Sequence, residues 1–228
     1  MIDLHIHSKY SFDSLLSPRT ILKVSKREGL TGIAVTDHNT IRGALEIKKI
    51  NKDRDFTVII GSEISTDIGD IIGLCINEEI KSRNSIEVIK DIKDQDGFVV
   101  LPHPFRGHKL DQCTIEQFDA IEVFNGRSTP EENIKALRLA ECYNKPFTAG
   151  SDAHFATEIG NAYIAFDLDS LMDIKNKFIT KSRDIHGQQC PRYLVDASQA
   201  IKSLKKMEYL QSIRHIEYFL HHLLKEVP

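Results

Sequence analysis

Short apolar runs rich in β-branched residues recur along this chain, each followed by a stretch with helix-like spacing, and this alternation restricts the fold more than any other feature. Ile2–Ile6, Gly32–Thr36, Thr57–Ile60, Ile71–Ile76, Phe98–Leu101, Ala120–Phe124, Phe147–Ala149 and Ala162–Phe166 read as strands. The segments between them carry helix signals. Ser17-Pro18 supplies an N-cap and a first-turn proline, and Gly29 closes that helix; Ser82 or Ser85 opens a later one that Gly97 ends. Thr129-Pro130-Glu131-Glu132 is another capped start, its acids facing the positive end of the helix dipole. Repeated β-α units around a largely parallel sheet follow, which is an α/β fold. At 228 residues the chain fits a single barrel of that class.

Beyond about Lys181 the pattern changes. The loop His186–Pro191 leads into Ser198–Lys225, where Ile201, Leu204, Met207, Leu210, Ile213, Ile216, Leu220 and Leu223 fall near helical spacing. One or two helices packed on the barrel exterior are expected there, with His215, His221 and His222 at the rim. The expected organisation is therefore a barrel over residues 1–180 and a helical extension over residues 181–228.

Charge narrows the choice of partners. Thirty Lys and Arg stand against 33 Asp and Glu, a formal charge of −3. Affinity resting on wholesale phosphate neutralisation needs a clear basic excess, which this chain lacks. The last 48 residues hold eight basic and five acidic side chains, leaving residues 1–180 at −6, so a phosphate-bearing partner meets an acidic body and a mildly basic end. Such a body needs bound cations to hold phosphate. Cys75, Cys113, Cys142 and Cys190 show no CxxC spacing and lie in or beside apolar runs, which reads as small buried hydrophobes in a reducing compartment. No apolar run approaches a membrane span, and the start Met1-Ile2-Asp3-Leu4-His5 has no leader pattern. A cytoplasmic protein without a membrane association or an obligate protein partner is expected.

The polar residues are placed in register with the strands. His5 and His7 end the first, Asp37-His38 follow the second, Glu63 the third, His103 the fifth, Asn125-Gly126-Arg127 the sixth, and Asp152 with His154 the seventh. Parallel strands present their C-terminal ends on one face, so these side chains converge there. Buried histidines and carboxylates brought together without a metal would be costly. His5-x-His7 lets two imidazoles on one side of a strand reach one ion, Asp152-x-His154 repeats that spacing with a carboxylate, and Glu63 can bridge two ions. Mixed His and carboxylate donors without thiolate suit Zn, Mn or Fe over Ca or Mg.

Asp3-Leu4-His5-Ile6-His7, Thr36-Asp37-His38-Asn39-Thr40, Gly61-Ser62-Glu63, His103-Pro104-Phe105-Arg106, Glu122-Val123-Phe124-Asn125-Gly126-Arg127 and Gly150-Ser151-Asp152-Ala153-His154 resemble, in order and spacing, the PHP (polymerase and histidinol phosphatase) family. The resemblance covers about residues 1–170 and is closest to short stand-alone members. It implies a distorted (β/α)7 TIM-like barrel with two or three divalent metal ions and phosphoesterase activity on nucleotide phosphates or short oligonucleotide ends. Carried over, it assigns His5, His7, Glu63 and Asp152 to a first ion, Glu63 and His103 to a second, and Asp13, His38 and His154 to a third. Where the family often has His before the strand-4 segment, this chain has Asp70, which can supply an oxygen ligand instead.

Hydrolysis by water activated between ions would leave little nucleophilic chemistry to the chain itself. No G-x-S-x-G elbow and no recognisable Cys-His pairing motif is present. Asp37 is expected to orient an imidazole or to cap a turn. Arg106 and Arg127 are expected to contact phosphate, with Asn125 on a non-bridging oxygen and His108 or Lys109 as further candidates. Three alternatives remain: a histidinol-phosphate-type phosphatase, a non-catalytic RNA-binding or scaffold subunit, and an amidohydrolase barrel. The last usually has a metal-bridging Lys on a middle strand, whereas here Glu63 stands in the bridging role.

Overall fold

The computed structural model describes residues 1–165 and 184–226. Along them run β1 (Ile2–Ile6), α1 (Pro18–Arg27), β2 (Gly32–Val35), α2 (Arg42–Ile50), β3 (Thr57–Thr66), β4 (Gly69–Leu74), α3 (Ser85–Asp94), β5 (Phe98–Leu101), α4 (Gln112–Glu116), β6 (Ala120–Asn125), α5 (Pro130–Cys142), β7 (Phe147–Gly150), β8 (Ala162–Ala165), β9 (Asp184–Gly187), α6 (Arg192–Lys205) and α7 (Tyr209–Glu226). The strands order as β7-β6-β5-β4-β3-β2-β1-β8-β9. Phe166 of the last expected strand, and the expected boundary between residues 180 and 181, lie outside the described residues.

The capping chemistry read from the sequence is in place. Ser17 Oγ accepts from Thr20 N at the start of α1, and Thr129 and Glu132 form a reciprocal capping box on α5. Asn84, which lies between the two expected serines and directly precedes Ser85, caps α3.

The sheet is less uniformly parallel than expected. β1, β2 and β3 pair in parallel, as do β5, β6 and β7, but β4 runs antiparallel to both β3 and β5. β3 and β4 form a hairpin joined at Thr66 and Gly69, with Gly69 at φ 122° in the turn. Because β4 is reversed, its first residues, Asp70 included, lie at the barrel end where the parallel strands finish. β8 is antiparallel to β1 through Ile2 and Ile164, and β9, read from sequence as loop around His186, pairs antiparallel with β8.

Strand β1 meets the segment after β7 on its other side: Asp152 N donates to His5 O at 2.8 Å and His7 N to Ala153 O at 2.9 Å. This closes the barrel at the end that carries the ligands. The approach is tight enough to require glycine at Gly150, where any Cβ would collide with His5.

Two layers of core flank the strands. Ile2, Leu4, Ala34, Ile59, Ile72, Phe98 and Val100 fill the barrel interior. Ile6, Ile33 and Val35 face outward against Ile21 and Val24 of α1 and Ala44 and Ile47 of α2. Leu4 therefore points in and Ile6 points out although they are two residues apart. The β1–β2 register shifts between Asp3 and Ile6, and a one-residue shift exchanges the faces of every later side chain. That shift turns His5 and His7 into the interior.

Helices α6 and α7 pack on each other and reach the barrel through polar contacts: Arg127 Nη1 donates to Ser198 Oγ at 2.6 Å, and Lys205 Nζ to the carbonyls of Ser11 and Ser14, both at 2.8 Å. Leu210, Ile213, Ile216 and Leu220 of α7 face outward, contrary to the expected apolar packing face. His215 meets Ser203, His222 meets Asp196, and His221 is exposed. The cysteines are free thiols. Cys113 and Cys142 are exposed and Cys75 and Cys190 half-buried, so the expectation of fully buried thiols does not hold.

Candidate metal centre

At the end of the barrel where β1, β5, β6 and β7 terminate, the interior changes from aliphatic to a continuous cluster of imidazoles and carboxylates. His5 Nε2 lies 3.4 Å from Glu63 Oε2 and 3.5 Å from Asp152 Oδ1; His7 Nε2 lies 3.3 and 3.2 Å from the same two oxygens. His103 Nε2 meets the other Glu63 oxygen at 2.8 Å. His38 spans two groups, its Nδ1 3.3 Å from Glu63 Oε2 and its Nε2 3.1 Å from Asp13 Oδ2, and His154 Nε2 is 3.3 Å from Asp13 Oδ1. Donor atoms of His5, His7 and Asp152, of His5, Glu63 and His103, of His38, Glu63 and Asp70, and of His7, Asp13, His38 and His154 each converge within 4.8 Å. All nine residues proposed as ligands from the sequence are thus brought together.

The tautomers decide what this cluster can hold. His5 Nδ1 is 3.0 Å from Glu122 Oε1, a carboxylate acceptor, so the proton of the neutral ring sits on Nδ1. Ser11 Oγ receives the His38 N–H and donates to Asp37, which leaves His7 Nδ1 to donate to it at 3.0 Å. His154 Nδ1 faces the Asp152 carbonyl at 2.8 Å and must donate as well. In each ring the inward Nε2 is then a bare lone pair. His5 and His7 direct theirs at each other across 3.0 Å, with carboxylate oxygens on the flanks. Lone pairs opposed at hydrogen-bond distance without a proton between them match a cation. Buried Asp13 Oδ1, His38 Nδ1 and His103 Nδ1 also lack a hydrogen-bond partner, and such groups are rarely left unpaired. The donor set fits divalent ions.

Without a cation the cluster compensates by protonation. Burial opposes the charge on His7, yet hydrogen bonds and attraction from Asp152 and Glu63 outweigh it and raise its pKa to about 10. Burial likewise opposes charge on His5, and Asp152, Glu122 and Glu63 push its pKa well above the ordinary value. The surrounding imidazoles overcome burial at Glu63 and, with Arg106, at Asp152, holding both well below the usual carboxylate range. His154 goes the other way, pushed down by burial and by Arg127. Asp152 and His103 also sit at φ 55° and 26°, a left-handed region that costs non-glycine residues about 1–3 kcal/mol and tends to persist where function requires it.

Other sequence candidates fall into different places. Arg106 Nη1 donates to Asp152 Oδ2 at 2.8 Å and to Asn125 Oδ1 at 3.1 Å; the side chain is one-third exposed, and among the described residues its Nε and Nη2 have no protein partner. Asn125 is fully engaged, donating from Nδ2 to Glu122 and Asp152 and accepting from Arg106 and the Arg127 N–H. It positions Arg106 and has no free group for a phosphate oxygen. Arg127 does not join the site as expected. Its guanidinium forms a two-point pair with buried Glu158 at 3.0 and 2.9 Å and a third bond to Ser198. Asp37 contacts no imidazole directly; it accepts from the Ser8 backbone and from the Ser8 and Ser11 hydroxyls, and reaches His7 only through Ser11. His108 Nε2 donates to the Asp70 carbonyl at 2.9 Å, so its unpartnered Nδ1 is an acceptor, and burial with His103 pushes its pKa down. It is not poised to protonate a leaving group.

Glu122 is the residue the sequence reading gave no role. It orients His5 through Oε1, and Oε2 accepts from His103 N and Asn125 Nδ2 at 2.9 Å each. A charged residue between Ile121 and Val123 of an apolar strand was the available signal. Glu158 was missed in the same way. Besides Arg127, it accepts the backbone N–H groups of His154 and Phe155, both at 2.8 Å, which holds the His154 loop.

Fold and donor set together define an α/β barrel with a candidate metal site at one end, and comparison with known proteins identifies the family. The PHP domain model matches residues 3–136 and a PHP-associated model matches residues 130–176. An uncharacterised protein of Methanocaldococcus jannaschii is 44% identical over 140 residues, covering 54% of this chain and 80% of its own length. A second uncharacterised protein from that organism is 35% identical over 177 residues, covering 72% of this chain and 70% of its own. Among solved structures, a two-domain protein of Bacteroides vulgatus, described as containing a predicted PHP-like metal-dependent phosphoesterase, superposes with a TM-score of 0.70 at 18% identity, covering 86% of this chain and 68% of that one. This chain belongs to the PHP family.

Proposed function

We propose that this PHP-family chain is a metal-dependent phosphoesterase that hydrolyses nucleotide phosphates or short oligonucleotide ends. The observation that carries the reading is the set of inward imidazole lone pairs facing the oxygens of Glu63, Asp152 and Asp13, with the open donors of Arg106 beside them. His5, His7 and Asp152 with one oxygen of Glu63 would hold one ion, the other Glu63 oxygen with His103 and Asp70 a second, and Asp13, His38 and His154 a third, of Zn, Mn or Fe. When bound, such ions act as Lewis acids and lower the pKa of water. The chain's own part is positional. Glu122 and Ser11 fix the rings of His5 and His7, and Asn125 aims Arg106 so that its free nitrogens can hold a phosphoryl oxygen while one remains on Asp152. The membrane plays no part in this reading, and a cytoplasmic setting accords with the free thiols.

The test is phosphate release with Mn, Zn or Fe from a generic phosphomonoester, a nucleoside monophosphate, a 5′-phosphorylated oligonucleotide and histidinol phosphate, run beside a dihydroorotase-type substrate. Metal-dependent release from the nucleotide substrates is expected, with His103→Ala folded by circular dichroism and inactive. Full activity in that variant, or hydrolysis of the dihydroorotase-type substrate alone, would contradict the assignment.

A further inference from the structure

Helix α6 reaches all three of the side chains assigned to the third ion, by three separate routes. Donor atoms of Asp13, His38 and His154 converge with His7 within 4.8 Å, and Asp13 and His154 lie in loops. The first route is Lys205, whose ammonium donates to the carbonyls of Ser11 and Ser14 at 2.8 Å each and to that of Lys9 at 3.4 Å. All three of its donors therefore go to the loop that carries Asp13. Ser11 and Ser14 flank Asp13 in the chain, so the backbone is fixed on both sides of the carboxylate. The second route runs from Ser198, which accepts from Arg127, through the Arg127–Glu158 pair to the His154 N–H, 2.8 Å from Glu158 Oε2. The third is aromatic: the Phe12 ring stacks on His38 with centroids 4.3 Å apart, and the ammonium groups of Lys202, in α6, and Lys206, just past its end, each lie 5.0 Å from the centre of the Phe12 ring.

The other ligands are braced from within the barrel. Glu122 holds the His5 ring and the His103 N–H, Arg106 and Asn125 hold Asp152, and Glu63 is part of β3. A strand keeps its side chains in place through its ladder, whereas a loop ligand is only as well aimed as the bonds that fix its loop. Holding the long Lys205 side chain still costs conformational entropy, and three carbonyls return no full counter-charge to its ammonium. What the arrangement secures is the geometry of Asp13, whose two oxygens face His154 at 3.3 Å and His38 at 3.1 Å. Groups that orient metal ligands in this way set metal affinity without touching the ion.

Resting on the metal-dependent reading of the site, we infer that α6 is the element that positions the ligands of the third ion and that Lys205 is its principal positioning residue. The C-terminal helices are then part of the frame of the metal centre. Their loss or displacement would release one ion and leave the sites built on the strands.

Calorimetric titration of Mn into the metal-free full chain tests this on wild type, Lys205→Met, His154→Ala and the double variant, each checked for folding by circular dichroism. His154→Ala removes a ligand and so marks which Mn equivalent belongs to this group. Lys205→Met is expected to weaken that equivalent by about tenfold, the usual size for a group that orients a metal ligand, and to leave the others at wild-type affinity. Because both changes act on one ion, the double variant should bind Mn as His154→Ala does. If Lys205→Met does not fold, Lys205→Gln, which drops the charge and keeps an N–H donor, is read in the same way. Unchanged Mn binding in the lysine variant overturns the inference, as do equal weakening of every equivalent, a further loss in the double variant, or a wild type with no equivalent that His154→Ala removes. Selective weakening in a protein that hydrolyses no phosphoester leaves the positioning role standing and removes the phosphoesterase reading.

Discussion

His7 illustrates how one buried side chain links stability, protonation and ion binding. Its pKa of about 10 in the metal-free protein lies above the ordinary 6.5, so protonated His7 contributes stability that is fully present below pH 6.5 and is lost as pH rises through 10. An ion at Nε2 needs that nitrogen deprotonated. Metal binding at pH 8 must therefore expel a proton that an unperturbed histidine would already have lost. Calorimetric titration of Mn into metal-free protein, in two buffers of different ionisation enthalpy, should show release of about one proton or more per chain. Proton-neutral binding at pH 8 would contradict the cluster described here.

At the scale of elements, Arg127 and Glu158 tie three parts of the chain together: the end of β6, the His154 loop and α6. Both partners are buried, at 3% and 0% side-chain exposure, so removing one leaves an uncompensated charge inside the protein. Arg127→Met should cost about 3–5 kcal/mol in thermal or denaturant unfolding. Because its donors are already engaged, substrate KM in the folded fraction should not change; a raised KM without loss of stability would restore the expected phosphate contact. The sequence did not distinguish Arg106 from Arg127, since both follow strand ends and the partner that claims Arg127 lies 31 residues downstream. His5, His7 and Asp152 were legible for the opposite reason: each sits at or just past the end of a strand whose facing direction the β-α pattern already sets, whereas Glu63, read as following the third strand, lies inside β3, which runs on to Thr66 as half of the hairpin with β4. The β3–β4 reversal was harder to read, because Ile71 and Ile72 form a fully buried run whose alternation is the same in either direction. β9 gave no apolar signal at all, being a largely exposed Asp-Ile-His-Gly segment.

On the scale of the whole molecule, an acidic body can hold an anionic substrate if its carboxylates are already engaged with cations. The −6 carried by residues 1–180 includes Asp13, Glu63, Asp70 and Asp152, all placed in the cluster, while the basic excess of residues 181–228 includes Lys202 and Lys206, whose ammonium groups lie over the Phe12 ring. We propose that the cluster holds more than one ion and that Glu63 would be shared between two of them. Metal content at saturation, measured by mass spectrometry on wild type and on Glu63→Gln after removal of loosely bound ions, tests it most directly. At least two ions per chain are expected in wild type and at least one fewer in the variant; a wild type that saturates at one ion or none, or a variant that retains the full complement, would contradict a shared Glu63.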